Sequence, residues 1–406
     1  MAERHIRTII TLGTAQTLAW ASSFYLPAML ATPMARDTGV SVPTVFLAFS
    51  VSMVLSALLG PAAGRLIDRI GGRPVLIGTN FIFAAGLAAL SMVHGPVGLF
   101  AAWLVLGVGM GTGLYEAAFA TLVRLYGRGA RDSITGITLI AGFASTVGWP
   151  LTSLLDAQLG WRGACLAWAA AHLLIGLPLN LSLPKLRLDE AADATPAQAA
   201  PEAAATVAPE KARRAAFILS FAFASTYFVA TSMAAHLPRL LQATGATLAA
   251  AVAAGALVGP AQVGARMLEY GLLRKMHPLF SARIATLMHP IGAAILMLVG
   301  APAAAAFTIL HGAGNGILTI TKGTLPLALF GAQGYGQRQG LLLIPARVAQ
   351  AAAPWVFGLC LDRWGAGVLW ISATLWASAF VALLFLPRER TAHSPESSAV
   401  FRGSGT

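Results

Sequence analysis

Apolar blocks of about twenty residues recur along the chain, separated by short stretches where glycine, proline and charge collect. Twenty residues at a rise of roughly 1.5 Å each is the length that crosses a hydrocarbon core of roughly 30 Å. The blocks predict twelve helical spans, at about 8–31, 43–65, 75–93, 97–122, 134–157, 163–183, 215–237, 247–268, 280–300, 303–330, 339–361 and 366–386. The alternation that marks barrel strands is absent. Helices are therefore the elements that satisfy the backbone in lipid.

The longest interruption runs from Leu183 to Arg214, "LPKLRLDEAADATPAQAAPEAAATVAPEKARR", rich in Ala, Pro and Glu with mixed charge. It divides the chain into a six-span half at 1–183, a flexible cytoplasmic linker at 184–214, a second six-span half at 215–386 and a disordered cytoplasmic tail at 387–406. Basic residues precede the first block as they do in a signal peptide. That block is long and has no small-residue cleavage site, so it is expected to stay as an uncleaved span.

Composition agrees with this pattern. Of 406 residues, 57% are hydrophobic and only 10% charged; the mean hydropathy is +0.73. A soluble chain of this size has too few charges here to cover its surface. The net charge of +12 is explained by its distribution rather than by nucleic acid, for which no basic helix or aromatic-basic interleaving argues. Nineteen of the 27 Lys and Arg fall in the turns on the side of the two termini, and four on the opposite side. Excess positive charge marks the cytoplasmic face, so both termini are expected in the cytoplasm of a bacterial cell, with the chain in its inner membrane. Cys165 and Cys360, the two cysteines, both lie in apolar blocks. No disulfide framework, metal site or cofactor is expected.

The halves repeat at an offset of about 200 residues. "ALLGPAAGRLIDRIGGRP" from Ala57 has a counterpart in "ALVGPAQVGARMLEYGLLRKMHP" from Ala256. "GVGMGTGLYE" from Gly107 corresponds to "GAGNGILTIT" from Gly312, and the Gly136-to-Pro150 interval recurs between Gly340 and Pro354. Two parallel six-helix repeats put a binding site between the halves near the bilayer midplane.

One stretch concentrates charge: "GRLIDRIGGRPVL", Gly64 to Leu76, holds Arg65, Asp68, Arg69 and Arg73 at the foot of the second span. With Gly64, Asp68, Gly71 and Arg73 it resembles the signature between helices 2 and 3 of major facilitator superfamily transporters, departing at Gly72, where that family usually has a basic residue. A looser second copy has Gly264, Glu269, Gly271 and Arg274. The resemblance covers essentially the whole chain. It implies an all-α membrane protein of twelve helices in two pseudo-symmetric halves, working by alternating access. It also implies a cytoplasmic latch, made of Gly64, Arg65, Asp68, Gly71, Arg73, Arg266 and Glu269, that breaks when the halves rock. "LYEAAFATL", "GFASTVGWPLTSLL" and "GNGILTITKGTLPLALFG" resemble bacterial drug and arsenite efflux permeases. The fifth span keeps only part of the family's antiport motif, with Gly148-Trp149-Pro150 followed by Leu, Thr and Ser.

Charges deep in a span are costly and mark function. Glu116 is the acid set well inside a span, where desolvation disfavours the carboxylate, and it is the expected proton-coupling group. The repeat sets Thr321 in register with Glu116, next to Lys322. The resemblance implies that helices 1, 4, 7 and 10 line the cavity. On the tenth span His311, Asn315, Thr319 and Lys322 share one face. The first span carries Gln16, Trp20, Ser23 and Tyr25, the seventh Tyr227 and Thr231, and the eleventh Arg347, which needs a counter-charge. These residues form the expected substrate cavity together with Glu116. Arg266 is weighed between latch and cavity, with the latch favoured.

The function expected first is proton-coupled efflux of a toxic or drug-like compound by a transporter, expected to be monomeric, with a small-molecule substrate, protons and the lipid bilayer as partners. The alternative is proton-coupled uptake of a small organic anion such as a monocarboxylate, favoured by the basic residues of the cavity. An enzyme is not expected: there is no nucleophile cluster, no HExxH and no P-loop.

Overall fold

The computed structural model describes residues 2–126, 130–184, 209–272, 276–330 and 335–386. The linker core, the tail and the side chains of Asp68 and Glu116 lie outside the described part. Among the described residues, nine helices are long and apolar enough to cross a membrane, several of them holding two rods.

The rods follow the apolar blocks. α1 comprises Ala2–Ser22 and Pro27–Thr38, α2 is Val42–Ile70, α3 is Gly72–Ser91, and α4 comprises Pro96–Gly113 and Tyr115–Tyr126. α5 begins as Ala130–Ala141 and continues into Ala144–Ala171. That second helix is divided at Gly160, whose φ of 70° and ψ of 168° end α5 and start α6. A positive φ of this kind suits glycine alone among common residues. α6 then passes through a π-helical turn, His172–Gly176, to Leu177–Leu181.

The second half holds α7 (Pro209–Ala243), α8 (Leu248–Ala256 and Val258–Gly271), α9 (Pro278–Val299), α10 (Ala304–Phe330), α11 (Tyr335–Trp364) and α12 (Val368–Leu384). α7 starts six residues earlier than the sequence suggests, so Arg213 and Arg214 are helical and not part of a linker.

Start signals are local. Ser41 Oγ accepts from the Thr44 N–H at the head of α2, and Thr247 Oγ1 from Ala250 N–H at the head of α8. At the foot of α2, Gly71 turns the chain with a φ of 85°.

The repeat seen in sequence has a packing meaning. A Cβ on Gly107 would lie 2.7 Å from Ser52 O and one on Gly111 2.8 Å from Ser56 O, so α4 touches the α2 backbone through glycine. In the second half a Cβ on Gly312 would lie 2.9 Å from Val258 O and one on Gly316 2.5 Å from Gln262 O, so α10 touches α8 in the same way. Gly109 and Gly314 do the same toward α3 and α9, against Phe83 and Ala285 O. Small residues at this spacing are what lets membrane helices approach closely.

Arginine caps are also shared. Arg73 donates from Nε and Nη2 to Leu181 O at 3.1 and 2.7 Å, closing the end of α6. Arg283 donates to Leu383 O at 3.2 and 2.9 Å, closing the end of α12. At the opposite end of each half stands one ion pair, Arg162–Asp37 at 2.9 Å and Arg239–Asp362 at 2.7 Å.

The halves meet through α2 with α11 and through α5 with α8. The Phe46 ring packs tilted against His236, centroids 3.9 Å apart, and the Nε2 of His236 lies 2.6 Å from Pro354 O. Ala28 and Trp149 of the first half belong to the buried core of the second.

Candidate functional site

Four rods break where the halves face one another, and beside three of the breaks a side chain of another helix reaches a backbone carbonyl. α1 opens at residues 23–26, where the Tyr25 N–H reaches back five residues to Trp20 O at 3.1 Å. α4 breaks at Leu114, whose ψ of −163° is extended. The Gly113 carbonyl beside that break accepts 2.7 Å from Gln16 Nε2 of α1. α8 breaks at Leu257, and Ala256 O accepts 2.8 Å from Thr146 Oγ1 of α5. α5 breaks at residues 142–143, and Thr138 O accepts 2.9 Å from Arg266 Nη1 of α8. In lipid, irregular backbone of this kind persists only where protein or a polar cavity supplies partners.

Aromatic rings line the same region. Trp20 lies 4.8 Å from Tyr115 and 6.5 Å from Tyr25, and Tyr25 meets Trp149 edge-on at 5.6 Å. Tyr115 stacks on Phe119 at 5.2 Å. Trp149 in turn lies against Gly255, just before the α8 break, where a Cβ would come within 2.9 Å of the indole.

Two cations stand among these rings. Arg266, expected at the latch, reaches instead toward the interface between halves. Its Nη1 holds Thr138 O, its Nη2 lies 3.5 Å from both Gln262 Oε1 and Thr319 Oγ1, and its buried Nε has no hydrogen-bond partner. The reason is geometric: the Thr138 carbonyl, which also accepts from the Gly142 N–H at 3.0 Å, faces α8 at the level of Arg266 and has a second lone pair to offer. Tyr25 and Tyr115 lie within electrostatic reach of its guanidinium, as does Lys322. Lys322 Nζ sits 3.5 Å from the centroid of the Tyr227 ring, a cation–π contact between α10 and α7. Among the described residues no carboxylate forms an ion pair with Arg266.

The other expected cavity residues divide. Gln16 is buried at the α4 break. Ser23 sits at the α1 break with its Oγ on Ala19 O at 2.6 Å. Thr231 is buried in α7, Asn315 half-buried in α10, and Arg347 exposed on α11. His311 departs from its stripe. Its Nδ1 lies 2.9 Å from His289 Nδ1, and its ring 5.6 Å from Trp376. At that level α10 is enclosed by α9 and α12, so the face that meets Arg266 lower down meets the interior of the second half here. Glu116 follows Tyr115 in the helix beyond the α4 break.

At the latch, Gly71 and Arg73 act as a turn and a helix cap. Arg65 is exposed and Glu269 buried. Sequence reasoning missed Tyr115, Trp149 and Thr138. Tyr115 carries a usable signal, since it follows the glycine run that ends at Gly113; a carbonyl acceptor carries none.

The model of the Major Facilitator Superfamily matches residues 12–321. The 3-(3-hydroxy-phenyl)propionate transporter of Escherichia coli (strain K12) is 28% identical over 253 residues, 60% of either chain. The oxalate:formate antiporter of Oxalobacter formigenes is 29% identical over 153 residues, 38% of this chain and 36% of that one. An uncharacterized 38 kDa protein of Thermoproteus tenax is 29% identical over 154 residues, 38% of this chain and 40% of that one. These matches span from about a third to three fifths of the relatives' lengths. Among solved structures, the nucleoside transporter NupG aligns with a TM-score of 0.75 at 13% identity, over 94% of this chain and 99% of that one. A bacterial homolog of the human lysosomal transporter Spinster, in an inward-facing and occupied conformation, aligns with a TM-score of 0.67 at 15% identity, over 93% of both chains. At these identities the structural likeness is one of fold.

Proposed function

The chain belongs to the Major Facilitator Superfamily, and we propose that this membrane transporter carries a small organic anion, a carboxylate, between its two halves. The observation that carries the reading is Arg266: a guanidinium at the interface of the halves with a buried, unpartnered Nε, in reach of a second cation, Lys322. A guanidinium nitrogen that is buried without a hydrogen-bond partner is costly, and an anion at that nitrogen converts the cost into attraction. Guanidinium binds carboxylate with fork geometry, and lysine adds a point charge. The rings of Trp20, Tyr25 and Tyr115 supply apolar walls and hydroxyl donors for the rest of the molecule.

The relatives lend support, since a hydroxyphenylpropionate, oxalate and formate are all carboxylates. Efflux of a neutral or cationic drug, the function expected first from sequence, gives the Arg266 guanidinium no counter-charge from the substrate. Coupling to protons is assigned to Glu116. Protonated, it leaves the cations to the substrate; ionised, it competes for them.

The test is transport by the purified protein in liposomes, offered aromatic and aliphatic mono- and dicarboxylates beside cationic drugs and arsenite. A carboxylate should be taken up or exchanged, and Arg266→Gln should lower its kcat/KM about a hundredfold or more, the scale expected for removing a buried charged partner. Transport of drugs but of no carboxylate, or an Arg266→Gln protein as active as wild type, overturns the proposal.

A further inference from the structure

Away from the interface of the halves, the outer surface of the second half has a concave groove of about 780 Å³ between α7 and α12. Its walls are Phe217 and Phe221 of α7 with Val381 and Phe385 of α12, and all four side chains are exposed. At its mouth stand Arg213 and Arg214, both exposed, one helical turn before Phe217. From Arg213 to Phe221 the groove follows α7 for about 12 Å, at the ordinary helical rise.

An outward surface in lipid is expected to be apolar, so exposed phenylalanines alone say nothing. The combination says more. The concavity accepts a chain between two helices rather than along one, and the paired guanidiniums sit at one end of it. An apolar cleft that ends in two adjacent cations matches the chemistry of a phospholipid whose acyl chain lies in the cleft and whose phosphate meets the arginines. Glu210 also lines the mouth, on the turn before the arginines. It leaves an excess of one positive charge there, which favours a headgroup with net negative charge over a zwitterionic one.

We propose that this groove is a binding site for one anionic phospholipid of the leaflet on the side of the chain termini. The site lies on the outer face of α7 and α12, and does not depend on the substrate assigned above. Because α7 supplies Tyr227 and α12 packs on both α7 and α9, an occupied groove fixes the α7–α12 seam from outside.

Native mass spectrometry of the purified full-length protein tests it. The protein is exchanged into detergent with equal amounts of phosphatidylglycerol, phosphatidylethanolamine and phosphatidylcholine. Wild type is expected to retain one phosphatidylglycerol with a preference of about tenfold over phosphatidylcholine, the scale for two surface-proximal arginines. Arg213→Gln with Arg214→Gln should abolish the preference, whereas Arg7→Gln, a charge loss elsewhere on the same side, should keep it. Phe217→Ala with Phe221→Ala should weaken retention of all three lipids at this site. Thermal unfolding in detergent checks that each variant is folded. Equal retention of the three lipids by wild type, a preference for phosphatidylethanolamine, or a preference that survives the double arginine substitution overturns the proposal. So does full retention by the double phenylalanine variant, which would mean that the groove holds no acyl chain.

Discussion

Arg266 on α8 and Lys322 on α10 meet different kinds of partner. Arg266 takes the second lone pair of a backbone carbonyl beside the α5 break, while Lys322 meets the face of an aromatic ring. The carbonyl is neutral and the Nε of Arg266 stays without a hydrogen-bond partner, which is the ground for proposing an anionic substrate. Lys322→Met removes the charge and keeps a similar length of apolar stem. On the proposal it raises the KM for the carboxylate about tenfold or more with a smaller effect on kcat, since an interaction present in the bound ground state is lost. An unchanged KM together with an unchanged pH profile would remove Lys322 from the site. Glu116→Gln answers a different question. The amide cannot titrate, so uptake driven by a pH gradient should disappear while exchange of substrate for substrate, measured at equal pH, persists. Exchange that stays as dependent on pH as in wild type would assign the coupling to another group. Both residues stand out in the sequence because a charge within twenty apolar positions is rare. Arg266 stands out equally, yet its role does not, because its partner Thr138 O is a main-chain atom that every residue type provides. His311 illustrates the converse: its stripe with Asn315, Thr319 and Lys322 is real as helix geometry, but which neighbour each level of that face meets depends on the tilt of α9 and α12, and no local pattern encodes that.

At the scale of whole helices, the glycine runs decide how closely rods approach, and they explain why the repeat was legible in the sequence. Gly107 and Gly111 match Gly312 and Gly316 because α4 on α2 and α10 on α8 are the same contact made twice. The rods themselves followed from apolar length, whereas their interruptions did not. Leu114 and Leu257 are ordinary helix formers, and their non-ideal geometry is held by Gln16 and Thr146 from other helices. Tertiary partners of this kind have no local signature. The close approach is testable with two glycines of the same helix pair. A Cβ on Gly316 would meet Gln262 O at 2.5 Å, while nothing lies within 4 Å of one on Gly264. Gly316→Ala should therefore force α10 off α8 and lower stability by about 1–3 kcal/mol, the usual range for overpacking. Gly264→Ala should be neutral or slightly stabilising, from helix propensity. Thermal unfolding of the two variants in detergent separates them, and equal midpoints would mean that the α8–α10 contact is looser than these distances require.

For the molecule as a whole, the proposed transport cycle has to break contacts where the halves touch. Phe46 near the start of α2 packs on His236 near the end of α7, and a Cβ on Gly358 of α11 would lie 3.8 Å from the Phe46 ring. All three lie toward the end of the bundle opposite the chain termini, because α2 starts and α7 finishes there. Toward the termini, Leu58 on α2 and Leu341, Ile344 and Val348 on α11 are exposed. The halves are joined at the far end through α2, and nearer the termini through the contact of Arg266 on α8 with Thr138 on α5. On the proposed function, rocking of the halves separates Phe46 from Gly358 once in each cycle. A reversible tether across that contact tests this step directly. With Cys165 and Cys360 replaced by alanine, Phe46→Cys and Gly358→Cys can be bridged by a short bis-methanethiosulfonate reagent. Bridging should stop net transport and exchange alike, since both require the far end to open, and reduction should restore them. Substrate binding from the side of the termini should survive bridging, because a tether at the far end leaves the near end free to open. Full transport by the bridged protein would show that the halves do not part at this contact, and alternating access would have to proceed through movement within one half.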